Sequence, residues 1–250
     1  MSVDVFYLGD TSLDTAAAYL AGVMHHAGIS FRYVASDENV TTADFEVSPK
    51  AVILSDFPAA NMTAEAQSLL ASCVENGTGL LMCGGWESFQ GCDGHWKDTA
   101  IGELLPVVIS DEDDRINCDQ PLFVRQMAQH PAIDNLPWGT RPPLIGGFNR
   151  FQAKSDATVL LESHRYEAAV EDDQLRLSHC ESNPLLVAQQ SDVCRIAAFA
   201  TDVAPHWVGP LVDWGESRVS AEAPGGESVE VGNLYAKFLT QLVSWIIGQS

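Results

Sequence analysis

Basic residues are scarce in this chain. Lys and Arg number 13 against 34 Asp and Glu, which leaves a net charge of -21 over 250 residues. Such a surface repels phosphate backbones and anionic lipid. Nucleic acid and membrane surfaces are therefore not expected as partners. Long apolar runs are missing too, and none approaches the ~18 residues a membrane-crossing helix needs. The opening "MSVDVFYLGD" has no basic stretch before its apolar residues. It reads as a strand rather than a signal peptide, and the expected location is the cytoplasm. The cysteines at 73, 83, 92, 118, 180 and 194 follow no pairing framework. In a cytoplasmic protein they are reduced thiols.

Signatures for cofactors and metals are also lacking. "YLGD" followed by "TS" is neither of the glycine-rich phosphate loops. Cys92, Asp93 and His95 in "GCDGHW" are metal-ligand types, but no second pair answers them at similar spacing. The acidic run Asp111 to Asp114 lacks a calcium-loop spacing and reads as a solvated loop. No metal and no cofactor are expected. There is no internal repeat and no low-complexity segment.

What remains is a chain with 46% hydrophobic residues and strong alternation of element types. That content is enough for one α/β domain over residues 1–250, with an irregular insertion at about 110–150. "VDVFYLG" (3–9), "SFRYVAS" (30–36), "AVILSDF" (51–57) and "GLLMC" (79–83) read as strands. "AVILSDF" is continuously apolar, as a strand buried on both faces should be. Between them lie helical patterns. One runs from a cap candidate, Ser12, through Leu13, Ala16, Leu20 and Met24 to Gly28. The other runs from about Thr63 to Gly77. Repeated βα units imply a parallel sheet with right-handed crossovers. Downstream, "TAIGELLP" (99–106) suggests a short helix and "PVVIS" (106–110) a strand. The segment 121–143 is rich in proline and reads as a long ordered loop. "ATVLLES" (157–163), "NPLLVAQQ" (183–190) and "CRIAAFATD" (194–202) are strands, the last two a hairpin turning near Ser191-Asp192. The segment 203–232 reads as loop, and Asn233 as the cap of a final helix, 234–247.

The stretch "GLLMCGGWESFQG" (79–91) joins a strand to a glycine turn with a thiol at the junction. Together with "IGELLPV" and "RIAAFATDVAPHW", it resembles the class I glutamine amidotransferase-like family, over nearly the whole chain. The resemblance implies a flavodoxin-like, doubly wound, mostly parallel sheet with helices on both faces. In active members it also implies a Cys-His-Glu triad, with the Cys in a G-x-C-x-G elbow and the other two as His-x-Glu after a late strand. Cys83 is the matching thiol. Gly85 supplies the second elbow glycine, but Leu81 stands where the first is needed, and the sharply turned backbone wants small neighbours there. Shifting the frame by one residue puts Gly84 at the nucleophile position and removes the nucleophile. The late strand is followed by Thr201-Asp202-Val203 instead of His-x-Glu. His206 follows four residues after Asp202, and Val208 lies where the Glu would be.

Two readings follow. In the first, the triad is incomplete and the chain lacks glutaminase activity. Gly84, Gly85, Trp86, Glu87 and Ser88, with Asp202 and His206, then form the rim of a site for a small polar molecule. In the second, Cys83 is a nucleophile with His206 as base and Asp202 as its orienting acid, since a thiolate needs such help. A third, purely structural role for the domain beside carbohydrate-processing enzymes is also open. A homo-oligomer is expected in each case. For single residues the plainer alternatives are a buried structural Cys83, Asp202 capping backbone N–H groups, His206 stacked beside Trp207, and Trp86 with Phe89 forming a lid.

Overall fold

The computed structural model describes residues 3–249. Met1, Ser2 and Ser250, the ends of the span read as one domain, lie outside the described residues. The chain runs β1 (Val5–Gly9), α1 (Ala17–His26), β2 (Phe31–Val34), β3 (Ala51–Ser55), α2 (Ala64–Glu75), β4 (Gly79–Cys83) and α3 (Ala100–Leu104). It continues with β5 (Val107–Val108), β6 (Arg115–Gln126), β7 (Leu144–Asn149), β8 (Gln152–Ala153), β9 (Thr158–Glu171), β10 (Gln174–Gln190) and β11 (Arg195–Phe199). It closes with α4 (Pro205–Val212), β12 (Arg218–Ala221), β13 (Val229–Gly232) and α5 (Asn233–Ile246).

Nine of the strands form one α/β sheet in the order β2-β1-β3-β4-β11-β10-β9-β6-β7. The first five pair in parallel and the remainder antiparallel, so the sheet is mixed. β1, β3 and β4 are buried along their whole length, which is why they read as continuous apolar runs. One hydrophobic cluster extends from Val5 to Ile247 across helices and both halves of the sheet.

The structure departs from the sequence reading in several places. Ser12 does not cap α1, which begins at Ala17 with no side-chain cap; its hydroxyl instead accepts the Asp14 N–H in the preceding turn. Thr63 does cap α2, accepting the Ala66 N–H at 3.2 Å. Asn233 is the first residue of α5 rather than its cap, and its Oδ1 takes the N–H groups of Glu216 and Ser217. The segment 203–232 holds α4 and the β12–β13 hairpin as well as loop. α4 begins on Pro205 and kinks at Val208, where φ and ψ leave the helical region. The segment read as an ordered loop from 121 opens inside a strand. β6 runs through Pro121 at an irregularity in its pairing with β7, where a strand tolerates a missing N–H.

Candidate functional site

The parallel pairing brings three chain segments level at one edge. Gly9 pairs with Ser55 and Ser55 with Cys83. The residues that follow these strand ends are Asp10, Asp56 and Gly84. Asp202 follows β11 by three residues and reaches the same edge. In open α/β sheets this carboxyl edge is where ligands bind, at the point where the strand order reverses. Here the order reverses between β1 and β3.

A cavity of about 600 Å³ opens at that point. Asp14, Tyr19, Asp56, Trp86, Asp202, His206 and Glu227 contribute its polar and aromatic lining, and Ala16, Ala204, Pro205 and Val229 its apolar lining. Of the residues that sequence placed at the rim, Trp86, Asp202 and His206 meet here. Glu87 and Ser88 lie behind it and hold the wall. Asp56 accepts the Glu87 N–H at 2.6 Å, and its own N–H donates to Ser88 Oγ at 3.0 Å. Asp10 and Asp56 both adopt positive φ, near +48°. That turns the chain sharply off each strand end, in a region Asp tolerates better than most residues. Gly85 approaches so closely that a Cβ on it would lie 2.2 Å from Asp56 Oδ1.

The glycine turn is clamped from the other side. Asn149, fully buried at the end of β7, accepts the Gly85 N–H at 2.9 Å and donates to the Gly85 carbonyl at 3.1 Å. It also donates to Asp114 Oδ1 at 2.8 Å, and Asp114 takes the N–H groups of Gln90 and Gly91. Within the acidic run, then, Asp114 is a buried pin rather than a solvated residue.

Cys83 is fully buried beneath the edge. Burial first, and the neighbouring Asp10 and Asp202 next, push its thiol well above its ordinary range. Asp202 is 5% exposed and its Oδ1 accepts the Ala204 N–H at 2.8 Å. Among the described residues no hydrogen bond joins it to His206. His206 is exposed at the mouth, edge-on to Trp86 at 5.6 Å and tilted beside Trp207 at 6.3 Å. Both geometries match the plainer alternatives: Asp202 caps backbone and His206 packs on indoles. Phe89 is buried against Phe151, while Trp86 is 45% exposed with the Arg115 guanidinium 4.6 Å from its ring centre. Gly84 fits so tightly that a Cβ would lie 2.2 Å from the Ala200 carbonyl oxygen, so no side chain stands at that level.

The carboxyl groups perturb one another. Burial, then repulsion from Asp10, raises Asp56 to about 7. Asp202 is pushed well above the carboxylate range by burial, then by Asp10 and Asp56. Asp10 is raised by burial, opposed by hydrogen bonds from Tyr7, whose hydroxyl donates at 2.5 Å, and from Ser55. Glu87 is raised by burial as well. No Lys or Arg forms an ion pair with Asp10, Asp56 or Asp202 among the described residues. Nor do any three His, Cys, Asp or Glu side chains there sit at a spacing that would hold a metal ion.

Sequence reasoning missed Asp10, Asp56, Tyr19 and Glu227. A signal for the first two was present. Three of the parallel strands end in an apolar stretch, a small residue and Asp: "YLGD", "ILSD" and "FATD".

The chain belongs to the family described as "Putative glutamine amidotransferase", whose model matches residues 6–219. No curated protein matches it. Among solved structures it is similar to the Cytoplasmic Protein STM1381 from Salmonella typhimurium LT2, at 22% identity and a TM-score of 0.72 over 97% of this chain and 98% of that one. It is likewise similar to the Cytoplasmic Protein STM3548 from Salmonella typhimurium, at 22% identity and a TM-score of 0.66 over 82% and 90%. A more distant likeness is to PurLQS from Thermotoga maritima, at 12% identity and a TM-score of 0.50 over 97% and 99%. At these identities the likenesses establish the fold. No helix among the described residues is long and apolar enough to cross a membrane.

Proposed function

We propose that this chain is an amidotransferase-like protein without the thiol-based glutaminase step, which binds a small polar molecule at the carboxyl edge of its sheet. The observation that carries this reading is the state of the elbow. The thiol at the strand end is sealed, and burial, then the neighbouring Asp10 and Asp202, keeps its proton on, while the next position admits no side chain. A thiolate nucleophile needs the opposite environment: solvent access and a nearby cation. The rim residues Trp86, Asp202 and His206 then serve binding, with Gly84, Gly85, Glu87 and Ser88 shaping the wall.

The order of the five parallel strands supports a flavodoxin-like core of the class I kind, and the continuous hydrophobic cluster supports one domain. The same reading places the protein in the cytoplasm as a homo-oligomer. Exposed Val170, Leu175 and Leu177 on the outer β9–β10 hairpin support self-association, which solution mass by light scattering tests. For the function itself, purified protein incubated with glutamine is expected to release no ammonia above a Cys83→Ala control. Glutamine hydrolysis that Cys83→Ala abolishes would overturn the reading.

A further inference from the structure

Among the residues that line the cavity there are carboxyl groups on every side and no Lys or Arg. Asp14 follows β1, Asp56 follows β3, Asp202 follows β11 and Glu227 precedes β13. The nearest guanidinium named above, Arg115, lies over the Trp86 ring outside the lining and is already paired with Asp113 at 2.7 Å. The aromatic lining consists of Trp86, Tyr19 and His206.

Acidic residues at a surface do not by themselves make a site. Asp202 differs from a solvated acid. Its side chain lines the cavity although the residue is more than nine-tenths buried. One oxygen holds the Ala204 N–H, and no side-chain donor of the protein reaches the other among the described residues. A buried carboxyl without a counter-charge is costly to ionise, so it holds its proton until a cation arrives to pair with it. A lining of carboxylates and ring faces is the chemistry that recognises an ammonium group: short charge-assisted hydrogen bonds on one side, π faces on another. An α-carboxylate or a phosphate would find no Lys or Arg in this lining to receive it.

From this we infer that the cavity takes a small polar molecule carrying a protonated amine, with the ammonium seated between Asp202 and Asp56 and the rest of the skeleton against Trp86 and Tyr19. This deepens the binding function proposed above and rests on it. The charged and titratable groups around that seat are Asp10 from β1, Glu87 from the turn after β4, Cys83 from β4, Tyr235 from α5, His206 from α4, and Asp14 and Glu227 at the mouth. Asp56 and Asp202 are both shifted toward the protonated form at neutral pH. An ammonium favours their ionised form, so its arrival expels protons.

Calorimetric titration tests this with matched probes: putrescine against 1,4-butanediol, and glucosamine against glucose. Each amine is expected to bind at least tenfold more tightly than its neutral partner. Putrescine binding at pH 6.5 is expected to release protons, seen as a heat that changes with the ionisation enthalpy of the buffer. Affinity rises with pH through about 7. Asp202→Asn weakens amine binding at least tenfold, and Glu227→Gln, exposed at the mouth, weakens it less. Equal binding of the amines and their neutral partners would overturn the ammonium seat while leaving the polar-ligand reading intact. Absence of amine binding at millimolar concentration would overturn it as well. Glutaminase activity would strike only the functional reading on which the seat depends.

Discussion

At the scale of single residues, the decisive contrast is between what Cys83 is and where it sits. A thiol at the end of a central strand invites a nucleophile reading because that is where strained turns expose reactive side chains. Here the surrounding core seals it. Tyr7 and Tyr235 are fully buried with it, and burial, then the neighbouring Asp10 and Asp202, holds the proton on sulfur. Thiol reactivity follows thiolate fraction and access, and Cys83 has neither. Iodoacetamide at pH 8 is therefore expected to label exposed Cys92 and Cys180 first and Cys83 last in the native protein, with all thiols labelled in denaturant. Mass spectrometry of tryptic peptides follows the order. Early modification of Cys83 would show an open elbow.

At the scale of elements, the site is a turn held by two others. The glycine turn after β4 contributes no regular hydrogen-bond ladder of its own, so Asn149 and Asp114 supply one. Asn149→Ala removes three hydrogen bonds and strands the buried Gly85 N–H and carbonyl, while Asp114 keeps the Gln90 and Gly91 N–H groups. Stranding buried polar groups costs roughly 1–3 kcal/mol each. A loss of about 3 kcal/mol in denaturant unfolding is expected, with faster hydrogen exchange at Gly85 and Gly91. Asn149→Ala at wild-type stability would mean the turn is held by packing alone.

This clamp was not legible in the sequence, and the reason is physical. Asn149 and Asp114 lie 64 and 23 residues from the groups they bind, and nothing local marks them. The parallel strands were legible because burial on both faces writes an unbroken apolar run. The outer half of the sheet was legible only where it is buried. β9 and β10 extend through "HRYEAAVEDDQLRLSHCES", where solvent meets both faces and no burial pattern forms. Their turn also uses Asp172-Asp173, both at positive φ, in place of the Asn-Gly or Asp-Gly that advertises a hairpin. The acid cluster falls between these cases. Each strand-end Asp reads locally as turn chemistry, and only the register of β1, β3 and β4 shows Asp10 and Asp56 to be level.

At the scale of the whole molecule, the cluster should govern how stability varies with pH. An acid whose folded pKa lies above its unfolded value binds protons more readily in the native state. Stability then falls as pH rises from the unfolded pKa through the folded one, and is level beyond it. Asp56 has an ordinary value of 3.8 and a folded value of about 7. Asp10 and Asp202 shift in the same direction. The protein is therefore expected to be most stable at mildly acidic pH and to lose stability between about pH 4 and pH 8. Self-repulsion of a chain with net charge -21 adds to the same trend, so the wild-type curve alone does not isolate the cluster. Asp56→Asn does. Asn tolerates the positive φ at this position and its Oδ1 can still accept the Glu87 N–H. A full shift of that size corresponds to about 4 kcal/mol, and water on the cavity side reduces it to about 2. Asp56→Asn is expected to match wild type near pH 4 and to exceed it by about 2 kcal/mol at pH 8, read from urea unfolding at each pH. A difference that is constant across that range, or that grows toward acid, would show that Asp56 is ionised in the native state throughout.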